Sequence, residues 1–168
     1  MNTAEPNIDA QLQSLATICL QKKLMLATAE SCTGGGVGET LTQVSGSSAW
    51  YLGGVISYSN QLKHQLLQVP EELLQTHGAV SEACALAMLK GAIKLTGADL
   101  AVSVTGIAGP DGGSDEKPVG TVCFAAGSAE NNQVRTCLFE GDRQQVRRQS
   151  IDFAVSQLLI SAQGWSNP

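Results

Sequence analysis

Leu24-Met25-Leu26-Ala27-Thr28-Ala29-Glu30-Ser31-Cys32-Thr33-Gly34-Gly35-Gly36 leads an apolar, strand-like run into a serine and then into a cluster of glycines. The apolar run, from Leu24 to Ala29, is too short for a helix, and a helical pattern to about Val44 follows the glycines. This is the strand–turn–helix unit from which layered α/β domains are built. The strand holds Ser31 rigidly. A helix opening at Thr33 or just before it adds free N–H groups and the positive end of its dipole at the same place. Ser31 therefore stands beside the backbone donors of Cys32, Thr33, Gly34 and Gly35, the arrangement that a developing oxyanion needs. Read locally, the same serine serves equally well as a helix N-cap.

Working outward, residues 9–23 carry helical periodicity with Leu12, Leu15, Ala16 and Cys19 on one face, and 45–48 reads as a loop. Tyr51 to Tyr58 is strand-like, with Gly53 and Gly54 marking a bulge or a close backbone approach. Ser59-Asn60 caps a short helix that carries Lys63, and Pro70 opens another that ends near Gly78. Ser81 caps a helix from Glu82 to about Thr96, which Gly97 ends. Asp99 to Val104 is a buried strand running into a loop, Thr105 to Gly113. Val119–Ala126 and Val134–Phe139 form a hairpin across 127–133. Asp142 with Gln145 makes a capping box for the last helix, to about Ser161, and the tail after Gly164 frays. These elements predict a three-layer α/β/α sandwich with a mostly parallel mixed sheet, in one domain over 1–168 with an ordered core of about 9–162.

Composition narrows the function. The 168 residues are 43% apolar and 15% charged, as in an ordinary globular domain. A net charge of −5 argues against charge-driven binding of nucleic acid or an anionic membrane, though it leaves room for a small basic pocket. Five cysteines without a CxxC spacing indicate a reducing compartment, with Cys19, Cys84 and Cys123 as small core residues. The start lacks the pattern of a signal peptide, and no apolar stretch is long enough to span a membrane. The expected location is the cytoplasm.

Two strand-end loops, 30–38 and 105–113, stand out, and α/β sheets gather ligands beyond the carboxyl ends of their strands. The glycines of the first loop lack the lysine and spacing of a phosphate-binding P-loop and the GxGxxG order of a dinucleotide site. An activated serine needs a base. His64 and His77 have no evident acidic orienter, so a Ser-His-Asp triad is unsupported. Lys63 is the alternative: a lysine desolvated near an apolar wall becomes a neutral base, whereas on an exposed helix face it is merely solvated. Asp111, Asp115 and Glu116 lack calcium-loop spacing and two unclustered histidines make a poor zinc set, so no metal and no cofactor is expected. Arg143 and Arg147, four apart on the last helix, share a face suited to a phosphate; Arg148 points about 100° away.

In order along the chain, Thr28-Ala29-Glu30-Ser31-Cys32-Thr33-Gly34-Gly35, Gly46-Ser47-Ser48-Ala49-Trp50, Tyr58-Ser59-Asn60 and His77-Gly78-Ala79-Val80-Ser81-Glu82 resemble the competence/damage-inducible CinA C-terminal family. So do the segment from Ser103 to Gly113 and Lys117-Pro118-Val119-Gly120-Thr121-Val122. Together they cover residues 10–160. The resemblance is to stand-alone bacterial members, without the molybdopterin-binding-like domain of longer ones. It implies hydrolysis of nicotinamide mononucleotide (NMN) to nicotinate mononucleotide and ammonia by a serine–lysine amidase without metal. It also implies Ser31 as nucleophile and Lys63 as base, with Tyr58 and Thr105 as polar companions in the same pocket. The proton is expected to pass to Lys63 directly or through Tyr58, and Thr105, Gly106 and Asn60 are expected to bind substrate.

Selection for a nucleotide requires a phosphate anchor in this acidic chain. Arg147 is the first choice, helped by Ser47 and Ser48. A homodimer is expected through the apolar loop around Trp50 and Tyr51, and similar proteins form dimers. Two rival functions remain open at this point: a noncatalytic ligand-binding or damage-response interaction module, and hydrolysis of a different small amide by the same dyad.

Overall fold

The structure, a computed structural model, describes residues 7–166; residues 1–6 and 167–168, the ends of the expected domain, lie outside the described residues. The chain runs α1 (Ile8–Lys22), β1 (Leu26–Glu30), α2 (Gly36–Thr42), a 3₁₀ turn (Ser47–Ala49), β2 (Tyr51–Ile56), α3 (Asn60–Leu67) and α4 (Glu71–His77). It continues through α5 (Glu82–Thr96), β3 (Leu100–Gly106), β4 (Thr121–Gly127), β5 (Asn132–Leu138) and α6 (Arg143–Gln163). The five strands lie in the order β2-β1-β3-β4-β5. β1 pairs in parallel with β2 and β3, and the β4–β5 hairpin pairs antiparallel. Only β4 therefore runs against the others.

Alternation along the strands builds the three layers. Leu26 of β1, Leu100, Val102 and Val104 of β3, and Val122 and Phe124 of β4 pack in one core with Leu12 and Leu15 of α1 and Val155 and Leu158 of α6. Ala27 and Ala29, Ala101, and Cys123 and Ala125 face the other way, against Met88, Leu89 and Ala92 of α5 and Leu67 of α3. Small residues on this second face let α5 approach the sheet closely, and Ser103 Oγ donates to the Ala85 carbonyl at 2.6 Å. All five cysteines are free, and Cys19, Cys84 and Cys123 sit in the core as expected.

Several boundaries move. The helix expected to open near Thr33 begins at Gly36, because residues 32–35 form a separate turn with Gly34 and Gly35 at positive φ. β3 extends through Thr105 and Gly106, which ladder onto Cys123 and Val122. Both meanings read into Gly53-Gly54 hold. The β1–β2 register slips by one residue beside Gly53, and a side chain on Gly54 would run into Thr28 Oγ1 and the Tyr51 hydroxyl. Trp50 is only 1% exposed and belongs to the core, so this ring is not presented to a second subunit; Tyr51 is partly buried against the same core. Where fraying is expected after Gly164, Trp165 is held: Lys22 Nζ donates to the carbonyls of Ala162, Gln163 and Trp165, each at 2.9 Å. No described helix is long and apolar enough to cross a membrane.

Candidate active site

β1 is flanked by β2 and β3, which the chain reaches along opposite faces of the sheet. The strand order thus reverses at β1, and a crevice opens beyond its carboxyl end, where ligands bind in open α/β sheets. Ser31 follows β1 directly. Its N–H donates to the Val104 carbonyl of β3 at 2.9 Å, so the sheet ladder carries on to the serine itself.

The turn after Ser31 is organised by Glu30, a carboxylate only 1% exposed. Its Oε2 accepts from Thr33 Oγ1 at 2.6 Å, Gly35 N at 3.0 Å and Val37 N at 3.1 Å, and its Oε1 accepts from Gly38 N at 2.8 Å. A carboxylate at the start of α2 suits the free N–H groups and dipole there. The Gly34 amide donates to the Ser31 carbonyl at 3.0 Å. Gly34 and Gly35 are therefore spent in the turn and are not oxyanion donors. The Cys32 and Thr33 amides donate to no other residue among those described.

Lys63 reaches the serine from α3. Ser59 caps that helix, its side chain accepting from Leu62 N at 3.1 Å, and this turns the first helical turn back over the strand ends. Lys63 is 1% exposed, with Nζ 2.9 Å from Ser31 Oγ, 2.8 Å from the Ser57 carbonyl and 3.4 Å from the Tyr58 carbonyl. Burial pushes its amine below the ordinary lysine value of 10.5, an effect that Cys84 and Cys32 would oppose only as thiolates. Burial holds those thiols up, Cys32 to about 12 and Cys84 to about 11, which leaves them protonated beside the amine. Neither histidine lines this site. His64 Nδ1 lies 2.9 Å from the Val69 carbonyl, away from Ser31.

Ser31, Cys32, Tyr58, Asn60, Lys63, Thr105, Gly106 and Arg143 share one cavity of about 210 Å³, closed by Ala79, Val80 and Ala108. A larger depression of about 500 Å³, between the β4–β5 turn and the end of α6, contains none of the predicted site residues. Thr105 Oγ1 donates to the Ala79 carbonyl at 2.8 Å and ties that wall to β3. The Tyr58 hydroxyl accepts from Arg143 Nη2 at 3.1 Å, and Arg143 Nη1 donates to the Gly109 carbonyl at 2.8 Å.

Three sequence-predicted anchors are not brought to the cavity. Arg147 donates to the Cys32 carbonyl from Nε at 3.2 Å and to the Thr33 carbonyl from Nη2 at 3.0 Å, so its fork is committed to the underside of the turn. Ser47 and Ser48 precede β2, where Leu26 N donates to the Trp50 carbonyl; they lie at the amino end of the strands, opposite Ser31. The sequence reading also missed two parts. Ser57 contributes a backbone carbonyl, which no side-chain pattern announces. Glu30 did leave a signal: an acid ending a buried strand just before a glycine turn needs donors, and the turn supplies them.

The CinA C-terminal domain sequence profile matches residues 9–161. The chain belongs to the CinA C-terminal domain family. Nicotinamide-nucleotide amidohydrolase PncC of Escherichia coli (strain K12) is 53% identical over 135 residues, 79% of this chain and 81% of that protein. A CinA-like protein of Geotalea uraniireducens is 50% identical over 133 residues, 79% of this chain but 32% of that longer protein. Among solved structures, a CinA superfamily protein from Klebsiella pneumoniae superposes with a TM-score of 0.90 at 37% identity, covering 95% of this chain and all of that one. The competence/damage-inducible protein CihA from Agrobacterium tumefaciens gives a TM-score of 0.89 at 38% identity, covering 97% and 99%.

Proposed function

We propose that this CinA-family chain hydrolyses the carboxamide of NMN, giving nicotinate mononucleotide and ammonia, with Ser31 as nucleophile and Lys63 as general base and acid. The observation that carries the reading is the pairing of a fully buried amine with Ser31 Oγ at 2.9 Å. Its likeness to the PncC amidohydrolase supplies the substrate.

The surroundings of Lys63 suit both of its protonation states. The neutral amine has two N–H bonds for the Ser57 and Tyr58 carbonyls, and its lone pair accepts the Ser31 O–H. The ammonium has three donors for the same three partners. A proton therefore moves on and off the amine without side-chain rearrangement.

As Ser31 Oγ bonds to the carboxamide carbon, its proton passes to Lys63 and the carbonyl oxygen becomes an oxyanion near the Cys32 and Thr33 amides. Collapse breaks the C–N bond, ammonia departs with the proton from Lys63, and an acyl ester remains on Ser31. Water, deprotonated by Lys63, attacks that ester. The proton returns to Ser31 Oγ as the carboxylic acid leaves, and the acid then gives its remaining proton to solvent. The proposed proton path passes directly between Ser31 and Lys63 and not through Tyr58, whose hydroxyl contacts Arg143 while only its backbone carbonyl meets the amine. Tyr58 works with Arg143, which lines the cavity where Arg147 does not, and a guanidinium there suits the substrate phosphate.

The test is ammonia release from NMN, nicotinamide riboside and free nicotinamide side by side, using wild-type and Ser31→Ala protein. Turnover of NMN ahead of the other two, abolished in Ser31→Ala, is expected. Normal turnover by Ser31→Ala sinks the nucleophile, and a folded wild-type protein that releases no ammonia from any of the three sinks the hydrolase.

A further inference from the structure

The arginine that the sequence assigned to phosphate does something else. Arg147 donates through Nε to the Cys32 carbonyl and through Nη2 to the Thr33 carbonyl, and no carboxylate among the described residues pairs with it. Its neighbour Arg148 instead pairs with Asp152 at 3.2 Å. Each carbonyl that Arg147 grips shares a peptide unit with the next residue's amide. These peptides are trans, so each N–H points opposite to its C=O.

Two chains of polarised peptides result. The first is short: Arg147 Nε to the Cys32 carbonyl, whose peptide carries the Thr33 N–H. The second is longer. Arg147 Nη2 binds the Thr33 carbonyl; the Gly34 N–H of that peptide donates to the Ser31 carbonyl; and the peptide of that carbonyl carries the Cys32 N–H. Both chains begin on the guanidinium and end on an amide that donates to no other residue among those described, next to the nucleophile. Hydrogen-bonded peptides in series polarise one another, and a charged donor at the head strengthens every later link.

Resting on the serine-amidase reading above, we infer that Arg147 is a positioning residue for the oxyanion site: it fixes and polarises the peptides that present the Cys32 and Thr33 amides, and it is not a substrate-phosphate anchor. Glu30 completes the frame from the other side by taking the Gly35, Val37 and Gly38 amides. The turn is thus held by an anion on its surplus N–H groups and by a cation on its carbonyls, which leaves two donors for substrate. Lysine at 147 keeps the charge but lacks the fork that spans two carbonyls.

The experiment compares wild type, Arg147→Met and Arg147→Lys. Loss of one oxyanion donor costs about a hundred- to a thousandfold in kcat. Loosening both without removing either is expected to cost roughly ten- to a hundredfold in Arg147→Met, with partial rescue in Arg147→Lys. The loss falls on kcat, by the same factor for NMN and nicotinamide riboside. Affinity for NMN, measured by calorimetry in a Ser31→Ala background, stays unchanged. Pyridine-3-boronic acid, whose boron takes the Ser31 oxygen to give a tetrahedral anion, binds more weakly by the factor lost in kcat/KM. A merely structural role does not move that ratio between boronate and ground-state affinity.

Full turnover in Arg147→Met overturns the inference, as does a loss confined to NMN, or unchanged boronate affinity in either variant. Should Arg147→Met fail to fold, boronate affinity in Arg147→Lys decides alone. An inactive wild-type protein would count against the amidase reading, whereas a working wild type with undiminished Arg147 variants counts against this role alone.

Discussion

Replacing Glu30 with glutamine changes one buried atom and is expected to cost several kcal/mol. The carboxylate accepts four hydrogen bonds, three at Oε2 and one at Oε1. A glutamine places its single oxygen best at the Oε2 position, which keeps Thr33 Oγ1, Gly35 N and Val37 N. Its NH₂ group then faces the Gly38 N–H, donor against donor. The three surviving bonds each lose the advantage of a charged acceptor, about 1 kcal/mol apiece. The Gly38 amide loses its partner in a buried site, about 1–3 kcal/mol more. The neutral amide is cheaper to bury than a carboxylate, which brings the expected net loss to about 3–5 kcal/mol. For a domain of this size that is a fall of roughly 10 °C in Tm. Equilibrium urea unfolding followed by circular dichroism measures it, with turnover assayed on the fraction still folded. Because the same turn presents the Cys32 and Thr33 amides, kcat should fall together with stability. A Glu30→Gln protein within about 1 kcal/mol of wild type would show that the carboxylate does not organise the turn.

Two further outcomes bear on the cavity. The Lys63 amine is lowered from 10.5 by burial and acts as a base only when neutral, so kcat/KM should rise with pH through an acid limb lying below the ordinary lysine range. A profile that climbs only above about pH 10 would mean a solvated lysine. Arg143→Ala should lower kcat/KM for NMN by roughly ten- to a hundredfold, the worth of a charged hydrogen bond of about 1.5–3 kcal/mol, and affect nicotinamide riboside much less; equal losses for both substrates would remove Arg143 from the phosphate.

Much of the architecture was legible because local chemistry and tertiary role agree. The caps at Ser59, Ser81 and Asp142 sit where the sequence puts them, and each side chain accepts from an amide of the first turn. The apolar β3 is covered on both faces, as a run without alternation requires. Legibility failed where a residue's partner lies far along the chain. Arg147 and Arg143 are one helical turn apart with the same side chain, and nothing local separates them. What separates them is that α6 crosses the end of the sheet with Arg147 under the turn after β1 and Arg143 over the cavity, contacts spanning 115 and 85 residues. Ser47 and Ser48 failed for the converse reason: close to Tyr51 in sequence, they stand at the wrong end of a parallel strand.

The serine–lysine pair lies between these cases. Ser31 and Lys63 are 32 residues apart, yet the partners that suit Lys63 to its task are local: the carbonyls of Ser57 and Tyr58, six and five residues back. β2 ends, two residues turn, and Ser59 starts a helix whose first turn folds over the carbonyls just left behind. Any lysine at that helical position would find those two acceptors. The tertiary contribution is burial against Ser31 at the end of β1 and beside Cys32 and Cys84, and it lowers the pKa at which the tethered ammonium gives up its proton. Sequence therefore encodes the tether and the fold supplies the pKa. By this logic the spacing between the end of β2 and Lys63 matters more than the identities of residues 57 and 58, because only their backbone oxygens touch the amine.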